Sequence, residues 1–252
     1  MRVTCVGTGT AAPEADRACS GYWVEAGEVQ LLLDCGPGVV HSLARVGAAW
    51  PAITHLALTH FHNDHIGDVP FLFFALQYGT RAPRDSPLAV VGPRGTRKLF
   101  RRLARSFGSH LRSPGFQLEF HEMAGGEAID LAPGVQLAAL ATPHTDNSLA
   151  FRLEQGGAAL GYTGDTGESV ELAAFMRGVD VLIAECSLPE ELAMDAHLTP
   201  QRLARFATLA VPRLLVATHV YPQLDRRTLA TAIREAGWGG AVVAASDGLV
   251  LG

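Results

Sequence analysis

Short runs rich in Val, Leu and Ala recur from one end of the chain to the other, each closed off by Gly, Pro or polar turn residues. Arg2–Gly7, Gly21–Glu25, Gln30–Asp34, His55–Thr59, Leu88–Val91, Phe116–His121, Val135–Ala141, Leu149–Leu153, Ala158–Thr163, Val181–Glu185, Leu214–Thr218, Ala241–Ser246 and Gly248–Leu251 read as β-strands. Helical patterns lie between them over Gly38–Val46, Val69–Tyr78 and Thr96–Phe107. Thr199 ahead of Pro200 marks the start of a helix to about Leu209. Asp225 starts another that runs to Ala236, with Gly237 as its stop. Such mixing predicts a layered α/β architecture in one domain over residues 1–252. Hairpin-length turns such as Glu154-Gln155-Gly156-Gly157 call for mixed sheets rather than purely parallel ones.

Two helices carry unusual faces. Val69–Tyr78 is apolar almost all round, the mark of a buried helix, a lid or an interface such as a homodimer face. Thr96–Phe107 places Leu99, Leu103 and Phe107 on one stripe, flanked by Phe100 and Ala104, and covers the rest with Arg97, Lys98, Arg101, Arg102 and Arg105. Residues 81–112 hold nine of the twenty basic residues and a single acid, Asp85, although the whole chain has a net charge of −5. A basic patch on an acidic protein points to an anionic partner; a merely solvated helix face is the alternative.

With 48% hydrophobic and 18% charged residues, disorder is excluded for the bulk of the chain. No apolar stretch approaches the roughly 18–20 residues of a membrane span, and the N-terminus reads as a first strand rather than a signal peptide. Cys5, Cys19, Cys35 and Cys186 are scattered without paired spacing. That argues for reduced thiols in a cytoplasm and against a disulfide framework or a zinc ribbon.

The chemistry concentrates in His60-Phe61-His62-Asn63-Asp64-His65, at the end of a strand. Three of the ten histidines fall in this hexapeptide. Imidazole and carboxylate suit zinc and related divalent metals. In an extended segment His60 and His62 project to one side, and a turn through Asn63-Asp64 can swing Asp64 and His65 toward a second ion.

This pattern, His60-x-His62-x-Asp64-His65, resembles the signature of the metallo-β-lactamase superfamily. Gly7-Thr8-Gly9-Thr10-Ala11-Ala12-Pro13 looks like the opening loop of its ribonuclease Z-like branch, and Leu33-Asp34-Cys35-Gly36 like the strand end that supports the metal loop. The resemblance spans nearly the whole chain. It implies a four-layered αββα sandwich of two mixed sheets with a dinuclear metal site at one edge. His144 in Thr142-Pro143-His144-Thr145 matches the third histidine, Asp165 in Thr163-Gly164-Asp165-Thr166 the bridging carboxylate, and His219 the last ligand. The implied sets are His60, His62 and His144 for one ion and Asp64, His65 and His219 for the other, with Asp165 shared. Two divalent ions, zinc or else manganese or iron, would share an ionised water that attacks in line, oriented by Asp64. Glu185 and His197 resemble a pair in the same branch in which the His contacts phosphate or protonates the leaving oxygen. Asp34 is expected to accept a hydrogen bond from a ligand imidazole, and Asp68 is a weaker candidate for the same role. His41, His55, His110 and His121 match no motif position, and Cys35 and Cys186 are expected to be packing residues.

The implied activity is a metal-dependent hydrolase of phosphodiesters. Only about twenty residues separate His144 from Asp165, so the long tRNA-binding arm of ribonuclease Z has no room, and Val220-Tyr221-Pro222-Gln223 departs from that enzyme's terminal motif. Both departures favour a small or cyclic phosphodiester or a nucleotide ester over RNA. A ribonuclease Z-like RNA 3′ endonuclease, a lactonase or carboxylic-ester hydrolase using Phe71-Leu72-Phe73-Phe74 as pocket lining, and a non-catalytic scaffold of the same fold remain alternatives.

Overall fold

The computed structural model describes residues 1–252. Its strands are β1 (Arg2–Gly7), β2 (Gly21–Ala26), β3 (Val29–Leu33), β4 (His55–Ala57), β5 (Leu88–Pro93), β6 (Leu118–Met123), β7 (Ala128–Ala132), β8 (Val135–Ala141), β9 (Leu149–Gln155), β10 (Ala158–Tyr162), β11 (Val181–Glu185), β12 (Leu214–Thr218), β13 (Ala241–Ala244) and β14 (Val250–Leu251). Its helices are α1 (Val39–Arg45), α2 (Asn63–Ile66), α3 (Val69–Tyr78), α4 (Thr96–Phe107), α5 (Val170–Phe175), α6 (Pro200–Ala210) and α7 (Arg226–Glu235). One seven-stranded sheet runs β14-β1-β2-β3-β4-β5-β6 and the other β13-β12-β11-β10-β9-β8-β7. Each is antiparallel over one half and parallel over the other: β3 through β6 are parallel, as are β10 through β13.

Alternation along the strands creates three apolar layers. Between the sheets, Tyr22, Val24, Leu31 and Leu33 meet Leu137, Phe151, Leu153, Ile183 and Val216. The opposite face of the first sheet packs Trp23, Leu32, Leu56 and Val90 against Leu43 of α1, Leu72 and Phe73 of α3 and Phe100 of α4. The outer face of the second packs Leu182, Ala184 and Leu215 against Leu172 of α5, Leu203 and Phe206 of α6, and Leu229 and Ile233 of α7. The architecture is therefore the expected αββα sandwich. The C-terminal ends of β4, β10, β11 and β12 lead into the loops that carry chemistry, the usual place for a site in parallel sheet segments.

Sequence and structure part in places. The apolar stripe of α4 does not run through Phe107, which is 59% exposed; Phe100 enters the core instead. Its ring packs edge-on against Phe73 and Phe120, at 5.3 and 5.0 Å between centroids. Helix α3 is buried along Val69, Leu72, Phe73 and Leu76 but presents Phe71, Phe74 and Tyr78 to the outside. Strand β7 and helix α5 were not anticipated. β7 has no fully buried residue and is held by its hairpin with β8; α5 is a six-residue helix capped by Ser169. No helix is long and apolar enough to cross a membrane.

Candidate active site

The ligand loop follows β4, which ends at Ala57, and closes with the single turn α2, for which His62 is the N-cap in extended conformation. His60 and His62 share a side as the extended reading expects, with ring centroids 4.6 Å apart. The loop packs against Gly36 so tightly that a Cβ there would fall 2.0 Å from the Asp64 carbonyl oxygen, which explains the glycine after Asp34-Cys35. Asp34 and His219 both adopt positive φ, 58° and 56°. That conformation is uncommon outside glycine, and here it turns each side chain inward at a strand end.

Donor atoms from distant loops converge on Asp165. Its Oδ1 lies 3.2 Å from His65 Nε2 and 3.5 Å from His219 Nε2. Its Oδ2 lies 3.6 Å from His144 Nε2 and 3.8 Å from His60 Nε2. His60, His62, His144 and Asp165 form one group of mutually close donors; Asp64, His65 and His219 form a second. The structure thus brings together all seven residues that the resemblance implies, with Asp165 between the two groups.

A second ring of hydrogen bonds fixes the imidazoles. His65 donates Nδ1–H to Asp34 at 2.8 Å, and His144 donates to the Ala196 carbonyl at 3.1 Å. The Thr59 hydroxyl gives its proton to Asp34, so it accepts from His60 Nδ1–H at 3.0 Å. Ser187 likewise donates to Glu185 and accepts from His219 at 3.0 Å. Four rings thus spend Nδ1–H on an oxygen and turn Nε2 toward the centre. Asp34 anchors the network, taking hydrogen bonds also from the Thr59 amide (2.8 Å) and the Tyr162 hydroxyl (2.7 Å). Asp68 does not contribute: its carboxylate accepts from the Val40 amide at 3.1 Å, serving the start of α1. Thr59, Tyr162 and Ser187 were missed, because nothing in their local sequence says what they touch.

The charge balance tests whether a metal suits this site. Burial, then the neighbouring His65 charge, pushes His60 down to about 2, leaving it a neutral donor. Against burial, its hydrogen bond to His219 and the charge of His65 bring Asp64 down to about 2. Against burial, Asp165 and Asp34 raise His65 well above the usual imidazole range. His60 Nε2, His65 Nε2 and Asp165 Oδ1 are buried without a good hydrogen-bond partner. His144 Nε2 and His62 Nδ1 face each other at 3.1 Å, although His144 already uses its Nδ1–H. Crowded lone pairs and excess negative charge are what divalent cations neutralise, so the residues fit such ions.

Beside this cluster, His197 gives Nδ1–H to Glu185 at 2.8 Å, and Glu185 also takes the amides of Thr166 and Leu198. Against burial, the hydrogen bond to Glu185 raises His197 above the usual range. A donor atom of His197 lies close to donors of Asp165 and His219. Tyr221, given no site role from the sequence, stands edge-on to His219 at 5.7 Å; burial, then the charges of Asp64, Asp165 and Glu185, raise it to about 12. Cys35 and Cys186 are buried and join no donor group. His41, His55, His110 and His121 also lie outside the donor groups.

Comparisons with known proteins bear on the family and the fold. Residues 30–220 match the family described as the beta-lactamase superfamily domain. A protein named ribonuclease Z from Mycobacterium bovis (strain BCG / Pasteur 1173P2) is 29% identical over 246 residues, covering 89% of this chain and 87% of its own. The metallo-beta-lactamase fold protein YhfI from Bacillus subtilis superposes with a TM-score of 0.87 at 25% identity, over 99% of this chain and 98% of that one. Human tRNase Z, short form, superposes at 0.78 with 24% identity, over 100% and 99% of the two chains.

Proposed function

From a chain that belongs to the beta-lactamase superfamily, we propose a phosphodiester hydrolase that works with two divalent ions, zinc by the ligand chemistry. His60, His62 and His144 would hold one ion, Asp64, His65 and His219 the other, and Asp165 both. Ions held there would acidify water at neutral pH and neutralise charge on the reacting phosphate oxygens. The carrying observation is the set of inward-facing nitrogens around Asp165, with His60 Nε2, His65 Nε2 and Asp165 Oδ1 buried without a good hydrogen-bond partner.

The remaining residues supply positioning and proton transfer. Asp64 Oδ2 sits 3.2 Å from His219 Nε2, where it would accept a hydrogen bond from the attacking water. Glu185 fixes the His197 ring, and its charge favours a proton on the free Nε2, which would protonate the leaving oxygen or contact the phosphate. A general acid of this kind contributes about 10²–10⁴-fold when the leaving group is poor. The phosphodiester class is supported by the ribonuclease Z name of the 29% identical relative and by the pairing of His197 with Glu185.

Turnover of bis(p-nitrophenyl) phosphate and of a lactone tests the reading. Metal-loaded protein should cleave the diester, lose that activity with chelator or in His65→Ala, and leave the lactone intact. Lactone turnover without diester turnover would replace phosphodiester with carboxylic ester as the substrate class. Protein that takes up no divalent metal, or metal-loaded protein inert toward every ester class, would favour a scaffold.

A further inference from the structure

Nine of the eleven basic residues outside residues 81–112 form ion pairs: Arg2, Arg17, Arg45, Arg152, Arg202, Arg205, Arg213, Arg226 and Arg227. Within that segment the density of positive charge is highest, yet the salt bridges of the protein include none of its nine. On α4, Lys98, Arg101, Arg102 and Arg105 stand at i, i+3, i+4 and i+7 and are all exposed. This spacing puts four cations on one face, where like charges repel by roughly 0.2–0.5 kcal/mol per pair. The helix has no acidic residue in its first turn to offset its dipole. Such an arrangement is unfavourable for the helix alone.

Two further features give the face a direction and a floor. At the N-terminus of α4, a Cβ on Gly95 would lie 3.5 Å from the ring of Phe61, the residue between His60 and His62. Gly95 is the N-cap of α4, so the helix begins beside the ligand loop, and its twelve residues reach about 18 Å. Along its side, Arg97, Arg101 and Arg112 surround a cavity of about 180 Å³ whose apolar wall is Phe100, Leu111 and Phe120. The guanidinium of Arg97 lies over the Phe120 ring at 5.2 Å. Glu122 is the nearby acid, and it accepts from the Gly95 and Arg97 amides rather than from a guanidinium. Planar guanidinium groups suit phosphate oxygens, and a track of them suits a repeating phosphate rather than one small anion.

We infer that the exposed face of α4, with the Arg97–Arg101–Arg112 cavity, docks the phosphate backbone of a nucleic-acid strand whose scissile diester lies at the histidine cluster. The inference rests on the phosphodiesterase reading for the position of that diester. It differs from the expectation of a small diester drawn from the short His144–Asp165 segment: the track lies on α4, outside that segment.

The test uses metal-loaded protein and a fluorescein-labelled 12-nucleotide oligouridylate with phosphorothioate linkages. Anisotropy gives Kd against salt for wild type and for Arg101→Glu/Arg105→Glu, and bis(p-nitrophenyl) phosphate turnover is followed alongside. The double variant replaces like-charge neighbours of Lys98 and Arg102 with opposite charges, so the helix should hold. Loss of two phosphate contacts should weaken binding at 0.1 M salt on the order of tenfold and flatten the log–log salt slope by about 1.4, with small-diester turnover unchanged. The same change in binding without diester turnover by wild type would uphold the docking face and overturn the hydrolase reading. Unchanged Kd and slope, with turnover intact, would overturn the docking face alone. Arginine-dependent binding to phosphatidylglycerol vesicles but not to the oligonucleotide would also overturn it.

Discussion

Replacing Asp34 with Asn changes one atom in a carboxylate that is fully buried and accepts four hydrogen bonds. Oδ1 receives the Thr59 amide; Oδ2 receives Thr59 Oγ1–H, His65 Nδ1–H and the Tyr162 hydroxyl, at 2.7–2.8 Å. Whichever way an amide is turned, its NH₂ group points at one of these donors. An unsatisfied buried donor costs about 1–3 kcal/mol, and hydrogen bonds to a charged acceptor are stronger than those to a neutral one by about 1 kcal/mol. Metal-free Asp34→Asn should therefore be roughly 2–4 kcal/mol less stable in urea denaturation. The same change releases His65 Nδ1 and the Thr59 hydroxyl that holds His60, so affinity for the divalent ions should fall about 10–100-fold. Competition with a fluorescent chelator reads that affinity directly. A variant with wild-type stability and metal affinity would refute the role given to Asp34.

Two other perturbations isolate parts of the site and the fold. His197→Ala should reduce kcat for a diester with a poor leaving group by about 10²–10⁴-fold but far less for a p-nitrophenolate leaving group; equal losses would remove the proton-transfer role of His197. His55, beside β5, is lowered to about 4 by burial and then by His121. An imidazole kept neutral in the fold but protonated in the unfolded chain withdraws stability as pH falls from about 6.5 to 4. With the exposed part of the ring discounted, that is roughly 1–2 kcal/mol. Chelator-treated His55→Gln should lack this component of acid destabilisation, seen in urea midpoints at pH 7 and pH 4.5; identical slopes would contradict it.

What the sequence makes legible is what is local. The His60–His65 loop announces itself because its donors are contiguous, and the helices starting at Thr199 and Asp225 because their caps are: each side chain accepts from its own first turn. His144, Asp165 and His219 needed family resemblance, since their convergence is produced by strand order across two sheets. The hydrogen-bonding residues Thr59, Tyr162 and Ser187 were out of reach for the same reason; Tyr162 bonds Asp34 from 128 positions away. Asp68 was misplaced because proximity in sequence to the ligand loop says nothing about the direction of its carboxylate. On α4 the periodicity gave the right helix, but Phe100 and Phe107 both lie near the apolar side, and only packing against Phe73 and Phe120 distinguishes them.

Anomalous diffraction from crystals of zinc-loaded protein addresses the two-ion site most directly. The expected result is two peaks per chain roughly 3.5–4 Å apart, one among His60, His62 and His144 and one among Asp64, His65 and His219, with Asp165 contacting both. A single peak, or peaks away from Asp165, would contradict it.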